Sequence, residues 1–282
     1  MVYHYTKLDT LFKILPLQSP AKEMTFHATC AYDMDDKLEM QFGYDFVKSF
    51  LTKYDRCNCI PYDRRLSLLM PSLNTLITLD NKDEFFQPKE YTPFVICFSK
   101  GYNDEYMWEH YGDNHKGVCM AFDEQDLLKH SENSERGVIY NVVYTPFENQ
   151  NMLLAKAMDV YMDKHLKEFY TLYPFFTNQE YRNSQKIEIL NQFCTLIGAG
   201  IKTGSEDYDY YKEKEVRWIS VEHIASRAVH LKNTENDKKV HYIEERFPLS
   251  CLKAIYIGKE CILSEAKKRN FQNIYGYKLQ KC

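Results

Sequence analysis

Residues 1–15 read MVYHYTKLDTLFKIL, and the four positions Tyr3, His4, Tyr5 and Thr6 decide how the rest is organised. Chain ends fray when little ties them down, so two tyrosines, a histidine and a threonine here point to a terminus held inside the fold. Side chains alternate along a strand, which places Tyr3 and Tyr5 on one face and His4 and Thr6 on the other. Immediately afterwards Leu8, Leu11, Phe12 and Leu15 recur at helical spacing, with Thr6 or Asp9 as candidate caps. The expectation is a strand with a polar pair on one surface, followed by a short helix.

Outward from that start, MTFHATCAY (24–32) has strand character, and DMDDKLE (33–39) reads as a turn into a helix. Residues 40–90 look helical with irregular joints. YTPFVICFS (91–99) is a clear strand; EYMWEHY (105–111) reads as a helix stopped by Gly112. KGVCMAFD (116–123) and RGVIYNVVYT (136–145) are strands by their β-branched and aromatic content. Over 149–203 the pattern changes: Ile187, Leu190, Cys194, Ile197 and Ile201 repeat at steps of three and four, predicting a buried helical stripe. Strands resume in EVRWISV (215–221), VHYIEERF (240–247) and KAIYIG (253–258), then a helix through Lys268 and a last strand, IYGYKLQ. This mixture lacks strict βαβ alternation and predicts an α+β fold with a largely antiparallel sheet. The expectation is a single domain over 1–282, with a helical insertion at about 149–203.

Composition excludes several classes. Hydrophobic residues make up 44% and charged residues 27% of 282, as in ordinary globular chains. No basic start precedes an apolar run, and no run nears the ~18 residues a membrane helix needs. Nine scattered cysteines without an export signal favour reduced thiols and a cytoplasmic setting. No second cysteine pair or histidine spacing accompanies Cys57-x-Cys59, so no metal is expected. A net charge of −4 shows no overall nucleic-acid footprint. Glycine-rich phosphate loops are absent.

Three segments carry candidate chemistry: His4 with Thr6; Ser99 with Met107, Trp108 and Tyr111; and YKEKEVRW (211–218). If 213–218 is extended, Glu213, Glu215 and Arg217 share a face backed by Val216 and Trp218. The two carboxylates would then lie about 6.5–7 Å apart along the strand, one held by Arg217 and the other free to face a ligand. The bland alternatives are core packing for Met107 and Trp108, a satisfied strand histidine for His4, and an exposed strand end for the charges.

YHYT, DDKLE, CFS followed by MWEHY and KGVCMAF, and EKEVR together resemble a bacterial family of uncharacterised proteins with YHYT-like starts. Its other motifs are N-D-P-x-E, CFS…MWxHY and E-x-E-x-R. One departure is Asp35-Asp36-Lys37 in place of Asn-Asp-Pro, which loosens the turn before Glu39. That family is similar, more distantly, to ADP-ribosyltransferases of the His–Tyr–Glu class, the DNA-modifying toxin type.

The resemblance implies a split, largely antiparallel ADP-ribosyltransferase-like sheet and NAD as substrate, without a metal. It further implies His4, Tyr111 and Glu215 as catalytic residues. Tyr5, Thr6, Phe98, Ser99 and Trp108 would join His4 and Tyr111 against NAD, with Glu213, Arg217, Asp36 and Glu39 in support. The implied activity is NAD-dependent ADP-ribosyl transfer to a protein or nucleic-acid acceptor, by a toxin or anti-phage defence effector with a possible antidote or regulatory protein. Two alternatives share the scaffold: an NAD glycohydrolase, and a non-catalytic nucleotide-sensing or partner-binding module.

Overall fold

The computed structural model describes residues 1–18, 21–34, 91–134, 136–145, 198–203, 209–223, 226–234 and 237–282. The chain opens with strand β1 (Val2–Thr6), helix α1 (Leu8–Ile14) and strand β2 (Glu23–Cys30). Then come β3 (Tyr91–Ser99), α2 (Glu105–His110), β4 (Val118–Phe122) and α3 (Glu124–Ser134). Short strands β5 (Val138–Asn141), β6 (Val143–Thr145) and β7 (Ile201–Thr203) precede the long β8 (Glu215–His223). The chain closes with β9 (His230–Asn233), β10 (Lys239–Pro248), β11 (Leu252–Ile257), α4 (Glu265–Tyr275) and β12 (Leu279–Lys281). No helix among the described residues is long and apolar enough to cross a membrane.

Ten strands form one sheet whose main path runs β12-β11-β4-β1-β3-β2-β10-β9, with β8 on β3 and β5 on β8. All its pairings are antiparallel except β11 with β12. Helices and a largely antiparallel sheet make the fold α+β, as the sequence pattern predicts. Strand β3 is the branch point. One of its edges is paired along its whole length with β8, from Tyr91↔His223 to Ser99↔Glu215. Its other edge is shared: β2 takes Phe94 and Val95, and β1 takes Ser99 alone, opposite Tyr3. The sheet is therefore open between β1 and β2, with β3 behind the gap.

Residues paired across strands project to the same face, and neighbours along a strand to opposite faces. One face carries the main core: Val2, Phe26, Phe94, Phe98, Met120, Phe122, Val216, Trp218 and Phe247, covered by Leu11 and Leu15 at α1 and Phe271 of α4. The other face carries two smaller clusters, one with Tyr5, Met107, Trp108 and Cys119 and one with Ala31, Val95, Ala199 and Ile219.

Several local expectations change. Helix α1 has Lys7 at its N-cap with no side-chain cap, so neither Thr6 nor Asp9 serves there. Helix α2 is capped by Asp104, whose carboxylate accepts from Tyr106 N at 3.1 Å. Its end is set less by Gly112 than by Asp113, Asn114 and His115, three successive left-handed residues with φ of 52, 49 and 65°. Gly112 is needed for another reason: a Cβ there would lie 2.4 Å from Cε3 of Trp108. Ile201 is buried as expected but belongs to strand β7, not a helix. The other stripe positions, Ile187, Leu190, Cys194 and Ile197, lie outside the described residues.

Candidate functional site

The Glu-x-Glu-x-Arg segment does not run as one strand. Lys214 is left-handed at φ 46°, and Glu213 ends a 3-10 turn spanning Asp209–Glu213 before β8 begins at Glu215. The kink still brings the two carboxylates together, because both reach the same ammonium. Lys202 Nζ of β7 lies 2.7 Å from Glu213 Oε2 and 2.8 Å from Glu215 Oε2. Arg217 grips Glu215 with both ends of its fork, Nε to Oε1 at 2.8 Å and Nη2 to Oε2 at 3.0 Å. Its third nitrogen, Nη1, donates to the Ala199 carbonyl at 2.5 Å.

All four side chains are buried: Arg217 is 0% exposed, Lys202 and Glu213 4%, and Glu215 5%. Two anions and two cations balance formally, which is what allows them to stay inside. Burial pushes the Glu215 carboxyl above the usual range, against the pull of Lys202. Burial also opposes the Lys202 charge, but Glu215 and Glu213 outweigh it and hold that ammonium protonated.

Neutral groups complete the surroundings. Tyr111 donates its hydroxyl to Glu213 Oε1 while its residue as a whole stays 45% exposed, so the ring borders solvent and the oxygen points inward. Burial and the Glu213 charge raise its pKa. Ser99 Oγ donates to the Glu213 carbonyl at 2.6 Å and accepts from Gly101 N at 2.9 Å. The Tyr144 hydroxyl accepts from Glu215 N at 2.9 Å. Cys97, opposite Arg217 on β3, bonds Glu215 through its thiol, which burial and that carboxylate keep protonated.

His4 is not part of this cluster. Register puts Tyr3 beside Ser99, and Ser99 beside Glu215, so it is the tyrosines of β1 that share the carboxylate's face. The His4 ring points to the main core, edge-on to Phe26 at 5.2 Å and Phe98 at 5.9 Å. Its Nδ1 lies 2.8 Å from the Cys97 carbonyl, an acceptor only, so Nδ1 carries the hydrogen. This bond closes part of the gap that β1 and β2 leave along β3. Cys97 thus separates the two groups: its carbonyl takes His4 and its thiol faces Glu215. Burial lowers the His4 pKa, against the carbonyl bond.

Other expected ligand contacts meet a similar obstacle. Phe98 is packed in the main core. Trp108 is enclosed by Tyr5, Met107 and Cys119, with Nε1 on Asn103 Oδ1 at 3.0 Å. Neither ring has a face free to stack on a nicotinamide without repacking. Tyr5 spends its hydroxyl on the Gly101 carbonyl at 2.9 Å and on Asp104 N at 3.2 Å. Thr6 is half-buried at the end of β1. Asp36 and Glu39 lie outside the described residues. Among those residues no group of three or more His, Cys, Asp or Glu is placed to hold a metal.

The cluster thus joins Ser99, Tyr111, Glu213, Glu215 and Arg217, all visible as motif residues, with Lys202 and Tyr144, which carry no motif. Lys202 stands in a plain Ile-Lys-Thr-Gly stretch, and only the long-range packing of β7 against the 3-10 turn reveals it. Searches of curated proteins and of solved structures return no match. A family model described as a protein of unknown function, DUF2971, matches residues 107–218, a span that holds Trp108, Tyr111, Lys202, Glu213, Glu215 and Arg217.

Proposed function

We propose that this chain acts on NAD, breaking the bond between nicotinamide and ribose and passing the ADP-ribosyl group to a macromolecular acceptor, with Glu215 as the catalytic carboxylate. The observation that carries the reading is convergence: Tyr111 meets the buried pair Glu213 and Glu215 from about a hundred residues earlier in the chain. A fixed negative charge beside a developing ribosyl cation lowers the barrier to nicotinamide departure. Two bonds from Arg217 and one from Lys202 take three of the four lone-pair sites of Glu215, and a ribose hydroxyl would take the fourth in place of the Cys97 thiol. The half-exposed Tyr111 ring borders the carboxylates and supplies a flat surface for the nicotinamide. The reading gives His4, Phe98 and Trp108 no contact with the reacting atoms and rests on the remaining segments.

The test is nicotinamide release from NAD by the purified protein, with and without cell lysate, for wild type and Glu215→Gln. Release is expected from wild type, and a loss of roughly a hundredfold in the variant, the scale of one such transition-state contact. Label from the adenosine half in a macromolecule indicates transfer; free ADP-ribose indicates hydrolysis. A folded wild-type protein that releases no nicotinamide in either condition refutes the reading.

One observation favours a second reading, a non-catalytic nucleotide-binding module. Every Glu213 and Glu215 oxygen already has a cation or hydroxyl partner, and a mutually satisfied network is also what a purely binding or structural site requires. It predicts NAD binding by calorimetry without turnover.

A further inference from the structure

We propose that Lys202 is a positioning residue for this site, a clamp that holds Glu213 and Glu215 together and presents Glu215 in one fixed orientation. The inference rests on the NAD-directed reading above and adds a residue that neither the motif pattern nor the resemblance contains. Its basis is geometric. One buried Nζ touches an oxygen of each carboxylate, at 2.7 and 2.8 Å, and lies 5.1 Å from the Tyr210 ring centroid. The stem comes from β7, outside both the 3-10 turn and β8, so Lys202 ties three elements at one point.

Two carboxylates within reach of one ammonium repel each other once it is gone, and like charges in such a site take up a proton. The other groups facing the pair do not replace it. Arg217 already holds Glu215 through two bonds. Tyr106, Tyr111, Tyr144 and Cys97 stay protonated, their pKa values raised by burial and by the neighbouring carboxylates. Ser99 bonds the Glu213 backbone and not its carboxylate.

The experiment compares wild type with Lys202→Met, Lys202→Arg and the double variant Lys202→Met/Glu213→Gln. Two readouts are used: the pH profile of nicotinamide release, and the carboxyl 13C titration of labelled glutamate, with Glu215 assigned through Glu215→Gln. In Lys202→Met the acid limb and the Glu215 titration are expected to move up by about one pH unit or more, as for two carboxylates sharing a site. kcat near neutrality should fall about tenfold or more, with KM for NAD changed far less. Adding Glu213→Gln should move the titration back, since the rival charge is gone, and Lys202→Arg should keep the wild-type profile.

A Glu215 titration unchanged in Lys202→Met, or unmoved by adding Glu213→Gln, overturns the clamp. If wild type releases no nicotinamide but the titration moves as described, the NAD reading fails while the clamp on the carboxylates stands. Should Lys202→Met not fold, the charge-balanced double variant is compared with Glu213→Gln alone. Matching Glu215 titrations in that pair are then expected, and a large difference between them overturns the role assigned to repulsion by Glu213.

Discussion

Replacing Arg217 by methionine tests whether the charged cluster is as enclosed as the structure has it. Arg217 is 0% exposed and gives two bonds to Glu215 and one to the Ala199 carbonyl. Methionine fills much of the stem volume, so cavity cost is small and the effect is electrostatic. Its loss leaves two buried carboxylates sharing one cation, Lys202. Breaking a buried pair by removing one partner costs about 3–5 kcal/mol, and stranding a buried carbonyl adds about 1–3 kcal/mol before relaxation. These contributions overlap, so about 4 kcal/mol is expected from urea unfolding at pH 7, read as a shift in midpoint at constant slope. Arg217→Met/Glu215→Leu rebalances the charges and should lose markedly less than Arg217→Met alone. A loss below about 1 kcal/mol in Arg217→Met, the scale of an exposed pair, would refute the burial of this ion pair.

The lowered His4 pKa means that the unfolded chain takes up a proton before the fold does, so stability is lost as pH falls below about 6.5. Wild type should therefore weaken more than His4→Gln between pH 7 and 5 in parallel urea titrations; parallel curves would contradict the packing of His4 against Phe26 and Phe98. Gly117→Ala puts a Cβ 2.2 Å from the Thr6 carbonyl oxygen, a backbone atom that cannot swing aside. It should cost about 1–3 kcal/mol by thermal or urea unfolding, the range for overpacking, and an unchanged midpoint would contradict that approach of β1. Trp108→Phe loses the bond to Asn103 and part of the packing around Tyr5. Stability should drop by about 1–3 kcal/mol while NAD affinity, by calorimetry, stays within a fewfold of wild type. A selective loss of affinity would restore Trp108 as a ligand contact.

Much of the fold was legible because its strands have locally distinctive composition. YTPFVICFS became β3 over Tyr91–Ser99 to the residue, and KGVCMAFD, EVRWISV and KAIYIG each hold a strand within a residue or two of expectation. RGVIYNVVYT did not stay whole. Val142 bonds the Glu215 carbonyl and Val143 the Gly200 carbonyl, so the run divides between β5 on β8 and β6 on β7. Helix α3 and strand β9 carry too little hydrophobic pattern to be legible: α3 buries only Leu127 and Ser131, and β9 buries no residue. The last strand came out later and shorter than IYGYKLQ suggests. Helix α4 runs on through Tyr275, and Gly276 at φ 75° turns the chain before Leu279–Lys281.

The site shows where reading by alternation stops being sufficient. Along β1 the rule correctly separates Tyr3 and Tyr5 from His4 and Thr6, and along β8 it correctly pairs Glu215 with Arg217. What alternation cannot state is which set on one strand meets which set on another. That depends on register across β3, and a slip of one residue exchanges every side chain between faces. Here a single bridge, Tyr3 with Ser99, fixes the phase and sends His4 to the main core while Glu215 faces Lys202. The Glu-x-Glu spacing likewise predicts strand alternation, whereas the left-handed Lys214 breaks the strand between the two. Both carboxylates nevertheless reach one cation, Lys202 on β7, which the Glu-x-Glu spacing alone does not name. Alternation thus encodes the Glu215–Arg217 pair, while the contact of both glutamates with Lys202 is set by packing between elements that local periodicity does not encode. For the same reason Lys202, with no motif around it, is the residue whose removal most directly tests what the paired glutamates do.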